Sequence, residues 1–214
     1  MKHLVFHFDP ISPYAWLAFS RLPQALEGLS YAVEYRPILF AALLQQWGQK
    51  GPAEIEPKRA WTFRQVHWLA QRHGIVLETP TQHPFNPLPL LRLLWACAPE
   101  GGTPNRWQVQ AVFRHVWEGG ADASDPARLA ALVALLSPQR DPAGEGVKQS
   151  LRQATDAAQR LGVFGVPTIE CEGRLFWGFD ALEMLADALR GGEWFDGPAW
   201  QREGAPRPGI TRGS

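Results

Sequence analysis

Cysteine is scarce in this chain: Cys97 and Cys171 are its two, far apart and in no C-x-x-C pair. That excludes a dithiol redox motif. In a reducing compartment it also leaves no structural disulfide to expect, and both thiols read as small buried apolar residues. Net charge is lacking too. Lys and Arg total 21, as do Asp and Glu, for a formal charge of zero. No electrostatic footprint for nucleic acid follows, and no run of like charge points to a membrane surface or an acidic partner. No span of about 20 apolar residues is present, and the N-terminus enters a strand pattern without the basic segment and apolar core of a signal peptide. The expectation is a soluble cytoplasmic protein. Missing as well are a Gly-rich phosphate loop and a Ser-His-Asp context. His67 and His73 lie outside any zinc-peptidase motif. His3 and His7 share a strand face at a spacing unusual for ligands, so no metal is expected.

What is present begins with length: 214 residues make one large domain or two small ones, with enough chain for a full core. Leu4, Phe6 and Phe8 alternate with His3, Val5 and His7, the period of a strand over 3–9. A turn follows at Pro10, and Ser12-Pro13 opens an apolar helical run from Tyr14 to Leu26. Serine is a preferred N-cap and proline a preferred first helical residue. The Ser12 hydroxyl therefore sits where unpaired backbone N–H groups and the helix dipole favour an anion or a thiolate. A strand over 31–37 completes a βαβ unit, whose helical connection implies parallel strands.

The strand signal then disappears for about 130 residues. Pro/Gly breaks separate helical candidates at 38–47, 57–73, 87–98, 105–118, 126–136 and 144–162. Val109, Val112, Phe113 and Val116 show helical apolar spacing, as do Leu129, Leu132, Val133 and Leu136. The ten tryptophans are many for this length; Trp61, Trp68, Trp95 and Trp117 read as core or interface residues. Strands return at Thr168–Glu172 and Arg174–Trp177, with Gly173 between them as for a tight hairpin. Asp180, with Glu183 three residues on, has the pattern of a capping box at the start of a last helix. The order β-α-β, helical block, β-β-α is that of an α/β thioredoxin-like fold split by a large all-α insertion. Residues 1–38 and 163–195 would form the thioredoxin-like domain, 39–162 the insertion, and 196–214 a C-terminal tail.

In thioredoxin-like oxidoreductases the first helix begins with Cys-x-x-Cys, whose thiol pKa the dipole lowers. Here that slot reads Ser12-Pro13-Tyr14-Ala15, so disulfide exchange is excluded at this site. A hydroxyl that could stabilise the thiolate of a bound thiol cofactor remains; so does a plain N-cap.

Six segments carry a more specific resemblance: Phe8 to Ala18, Arg36-Pro37-Ile38-Leu39, Pro57-Lys58-Arg59-Ala60, Phe85-Asn86-Pro87-Leu88, Phe164-Gly165-Val166-Pro167-Thr168, and Leu175 to Asp180. In this order and spacing they resemble the 2-hydroxychromene-2-carboxylate isomerases and the related kappa-class glutathione transferases, as far as about residue 195. The resemblance implies a glutathione-dependent enzyme, with Ser12 facing the glutathione sulfur and Val166-Pro167 forming a cis-proline loop that pairs with the cysteinyl part. It implies further that Asp180 contacts the γ-glutamyl end and that Phe179 and Gln49 are also cofactor-binding residues. Gln49 stands where relatives usually have Asn, and Ala181 where Arg is common. The implied substrate is a small-molecule carboxylate, for which Lys50 is the leading cation, followed by Lys58, Arg59 and Arg64; Tyr14 and Asn86 are candidate pocket residues, and Asn86 reads equally as a turn residue. A homodimer is expected by resemblance. A kappa-like transferase or peroxidase shares all the glutathione contacts, and a non-catalytic thiol- or peptide-binding module would share the scaffold.

Overall fold

Large side chains fill both faces of the first strand, so the sheet it belongs to must be covered above and below. In the computed structural model, which describes residues 1–204, β1 (Lys2–Phe8) lies inside a four-stranded sheet of order β2-β1-β3-β4. It pairs in parallel with β2 (Tyr31–Pro37) across α1 (Pro13–Ala25), and antiparallel with β3 (Thr168–Cys171). Between β3 and β4 (Arg174–Trp177), Glu172 and Gly173 both take positive φ, 51° and 76°. That is the backbone of a two-residue hairpin turn matched to strand twist.

The helical block runs through α2 (Phe40–Gln46), α3 (Glu56–His73), α4 (Leu88–Cys97), α5 (Arg106–Trp117), α6 (Pro126–Leu136) and α7 (Glu145–Arg160). All six helices match sequence candidates to within a few residues. Leu4, Phe6 and Phe8 pack with Phe19 of α1 and Phe113 of α5 in one apolar cluster; the Phe8 and Phe113 rings are 5.2 Å apart. A second cluster joins Ile38, Leu43, Leu91, Trp95, Val147 and Leu151. The alternation in β1 does not mark a wet face: Val5 and His7 are buried as well, because a central strand covered on both sides has no solvent face.

One sequence expectation, the capping box, changes. Asp180 precedes α8 (Ala181–Leu189), but its own φ and ψ, −69° and −19°, are helical and its side chain makes no cap bond. A side chain closes onto the first turn from extended backbone, so the capping box does not form. Of the four tryptophans read as core or interface residues, Trp95 and Trp117 are buried, with their indole N–H groups on the Pro37 and Pro10 carbonyls. Trp61 and Trp68 are exposed. The segment expected as a tail from residue 196 continues from α9 (Glu193–Asp196) into α10 (Pro198–Gly204), and Trp200 packs against Phe176 at 5.9 Å. Residues 205–214 of that segment lie outside the described residues. Among the described residues, no helix is long and apolar enough to cross a membrane.

Candidate active site

The N-terminus of α1, the loop after α2, one face of α3, residues 83–87, the loop before β3 and the start of α8 enclose a cavity of about 1680 Å³. Ser12 lines it. It is the N-cap of α1 in extended backbone, φ −87° and ψ 117°, and its Oγ accepts from Ala15 N at 3.3 Å. The same hydroxyl donates to the Val166 carbonyl at 3.2 Å. Val166–Pro167 is a cis peptide bond, as expected, and His83–Pro84 is another. Two ends of the chain, 154 residues apart, thus meet at one hydroxyl.

Asp9 lies under this turn, fully buried. Its Oδ1 accepts from Ile11 N and its Oδ2 from Phe40 N, each at 3.0 Å. Burial pushes its pKa up to about 7, while the two N–H bonds pull the other way. Two residues earlier in β1, burial pushes His7 down to about 4, with Arg36 adding to the effect. Neither ring nitrogen of His7 has a hydrogen-bond partner. Both cysteines are free and buried, and burial raises the Cys97 thiol to about 11.

Gln49, Lys50, Val166, Phe179, Asp180 and Tyr14 line the same cavity as Ser12. The Tyr14 hydroxyl donates to Gln65 Oε1 at 2.6 Å; burial, then the Asp180 charge, raises its pKa. Asp180, released from capping, leaves its carboxylate at the cavity wall. The wall tolerates little change. A Cβ on Gly178, whose φ is +97°, would meet Asp180 Oδ1 at 2.5 Å, and one on Gly165 would meet Trp177 Nε1 at 2.6 Å. Pro167 presents its carbonyl to Gly178 N at 2.9 Å, tying the cis-proline loop to that wall.

Asn86 is not brought in: it is exposed, and its Oδ1 accepts from Leu88 N at 3.1 Å as a turn residue before α4. Of the cations, Lys50 and Lys58 line the cavity, whereas Arg59 and Arg64 do not. Neither of the two lysines is in an ion pair among the described residues. Asp9, Arg21, Trp61, His83 and Trp177 also line the cavity and were not singled out from sequence. Asp9 and Trp177 belong to quoted segments and could have been flagged; Arg21, Trp61 and His83 depend on how α1, α3 and the 83–87 segment meet. A second cleft, of about 620 Å³ beside β2, offers less chemistry. Its Arg106 is engaged by the Tyr35 hydroxyl and the Phe19 carbonyl, and lies over the Phe19 ring at 4.2 Å.

Comparison with known proteins gives this site its relatives. The model of the DSBA-like thioredoxin domain matches residues 3–190. A 2-hydroxychromene-2-carboxylate isomerase of Sphingobium xenophagum is 29% identical over 201 residues, covering 88% of this chain and 98% of its own. Human glutathione S-transferase kappa 1 is 26% identical over 208 residues, covering 89% and 91%. A solved 2-hydroxychromene-2-carboxylate isomerase shares the fold with a TM-score of 0.76 at 23% identity, over 91% of this chain and 97% of that one.

Proposed function

Since the chain belongs to the DSBA-like thioredoxin domain family and begins its first helix with serine, we propose that it is a glutathione-dependent isomerase. Its reaction interconverts 2-hydroxychromene-2-carboxylate and trans-o-hydroxybenzylidenepyruvate, or a related unsaturated keto acid. The observation that carries this reading is the Ser12 hydroxyl. It sits at the N-terminus of α1, against the carbonyl before cis-Pro167, in a cavity that two unpaired lysines also line. The isomerase and transferase relatives support the assignment to glutathione chemistry.

The residues fit glutathione. Val166 offers a backbone carbonyl beside a cis proline for an extended peptide, and Asp180 offers an uncapped carboxylate toward the γ-glutamyl end, beside Phe179 and Gln49. When bound, glutathione supplies a thiol that adds reversibly to a conjugated C=C bond, so that the bond can rotate with no net redox change. The chain's own part is to favour the thiolate. Ser12 turns its O–H from the Val166 carbonyl to the sulfur, and the first turn of α1 adds its positive end. Lowering a thiol pKa by about two units requires ~2.7 kcal/mol. A hydrogen bond to a charged group supplies about 1.5–3 kcal/mol and a helix terminus about 0.3–1, a combined range that brackets this requirement. Lys50 and Lys58 receive the substrate carboxylate, and the exposed face of Trp61 borders its path.

The test is turnover of hydroxychromene carboxylate with and without catalytic glutathione. Wild type turns over only with glutathione and does not consume it, and Ser12→Ala loses at least about tenfold in rate. A rate independent of glutathione sinks the assignment. The kappa-class relative favours a second reading, a glutathione transferase, for which net thiol loss is the signature.

A further inference from the structure

The two peptide planes that precede Ser12 are pinned on both edges by groups outside α1. In the plane joining Pro10 to Ile11, the carbonyl accepts from Trp117 Nε1 at 2.9 Å, and the N–H donates to Asp9 Oδ1 at 3.0 Å. In the plane joining Ile11 to Ser12, the N–H donates to the Asp9 carbonyl at 3.1 Å, and the carbonyl accepts from His83 Nε2 at 2.9 Å. Tilting this second plane changes φ of Ser12, and with it the direction of Oγ toward Val166 and Ala15.

His83 and Trp117 are the two pins that come from the inserted block, and His83 is the one that holds the plane next to Ser12. Its ring is packed among Phe63, Phe85 and Trp117, with centroids 5.1, 6.1 and 5.7 Å away. Burial lowers its pKa; the bond to Ile11 works against this and the Arg59 charge with it. A neutral imidazole has one N–H, and a carbonyl can only accept, so the proton is on Nε2. Nδ1 is then a buried acceptor without a partner. A phenyl ring would fill the same apolar surroundings without that orphan atom, so packing alone does not account for an imidazole here. What distinguishes it is the Nε2–H bond to Ile11.

We propose that His83 is a positioning residue, holding the Ile11–Ser12 peptide plane so that the Ser12 hydroxyl keeps its place between Ala15 N and the Val166 carbonyl at the cavity wall. Its consequence for turnover rests on the function proposed above; its consequence for the turn does not. The helical insertion thereby sets the geometry of the reacting end of α1, beyond covering the sheet.

Three full-length proteins test this: wild type, His83→Phe, which keeps a ring, and His83→Gln, whose amide N–H can reach the Ile11 carbonyl. The first readout is hydrogen exchange of the Ser12 amide in the free proteins, with Leu17 and Leu22 amides as controls for α1. His83→Phe exchanges Ser12 at least about tenfold faster with the controls unchanged, and His83→Gln returns to within about threefold of wild type. The second readout is glutathione-dependent turnover, in which His83→Phe loses about tenfold or more in kcat with little change in substrate KM, and His83→Gln recovers it. Unchanged Ser12 exchange in His83→Phe overturns the proposal, as does equal loss in both variants, which would show that an N–H donor to Ile11 does not restore the turn. Altered exchange in a protein without glutathione-dependent turnover upholds the positioning role and removes the isomerase reading. Unaltered exchange in a protein with such turnover does the reverse.

Discussion

Two helices point their N-termini into one cavity, and they use their first polar residue in opposite ways. At α1, Ser12 has extended backbone and its Oγ is engaged twice, by Ala15 N and by the Val166 carbonyl. At α8, Asp180 has helical backbone and makes no cap bond. Dihedral angle, more than residue type, decides whether a side chain closes its own helix or faces outward. The first arrangement fixes a hydroxyl; the second leaves a carboxylate for a ligand. The two ends also rest on different ground. The turn before α1 rests on the buried Asp9, just after β1, whereas α8 starts beside Gly178, whose backbone leaves room for Asp180.

The sharpest way to break this contrast is Gly178→Ala. A side chain at φ +97° and 2.5 Å from Asp180 Oδ1 must move the carboxylate. The expected loss is roughly 1–3 kcal/mol of stability, together with weaker glutathione binding while Ser12-dependent chemistry persists; urea unfolding and calorimetry check both.

The two buried titratable groups at the end of β1 and just after it, His7 and Asp9, are tested by pH. His7, held near 4, contributes stability that is complete above its unfolded value of about 6.5 and is lost as pH falls toward 4. Asp9, held near 7, contributes stability that is complete below its unfolded value of about 3.9 and is lost as pH rises toward 7. The slopes oppose each other over nearly the same window. His7→Leu therefore loses stability relative to wild type as pH rises from about 4.5 to 6.5, and Asp9→Asn gains, each by at most about 1.4 kcal/mol per pH unit. Urea midpoints at several pH values give the two differences; parallel curves for all three proteins would contradict them.

The smallest effect is the contrast of the caps themselves. Ser12→Ala costs about 1 kcal/mol of stability as a lost N-cap, while Asp180→Ala stays within about 0.5 kcal/mol because no cap bond is lost. Equal losses would mean that Asp180 caps α8 in solution.

Most of the fold was legible because its signals are local. The period of two in β1, the Ser-Pro start of α1 and the Pro/Gly breaks between helices each depend on neighbouring residues, and all mark real elements. The centre of the site was legible for the same reason, since Ser12 and Val166-Pro167 stand in distinctive local segments. What failed depends on angles and distances that spacing does not encode. The Asp180–Glu183 pattern matches a capping box, but one helical ψ disables it. Asn86 lies in a quoted segment, yet its side chain turns back to Leu88 N. The burial of His7, the exposure of Trp61 and the reach of His83 to Ile11 are set by which helices cover which face.

The role of Ser12 shows most directly in the ionisation of a thiol bound beside it. Ultraviolet titration of glutathione bound to wild type and to Ser12→Ala measures it. With Ser12 stabilising the thiolate, a bound thiol ionises about two pH units below free glutathione in wild type and shifts most of the way back in the variant. A bound thiol that titrates as in free solution, or identically in both proteins, would contradict it.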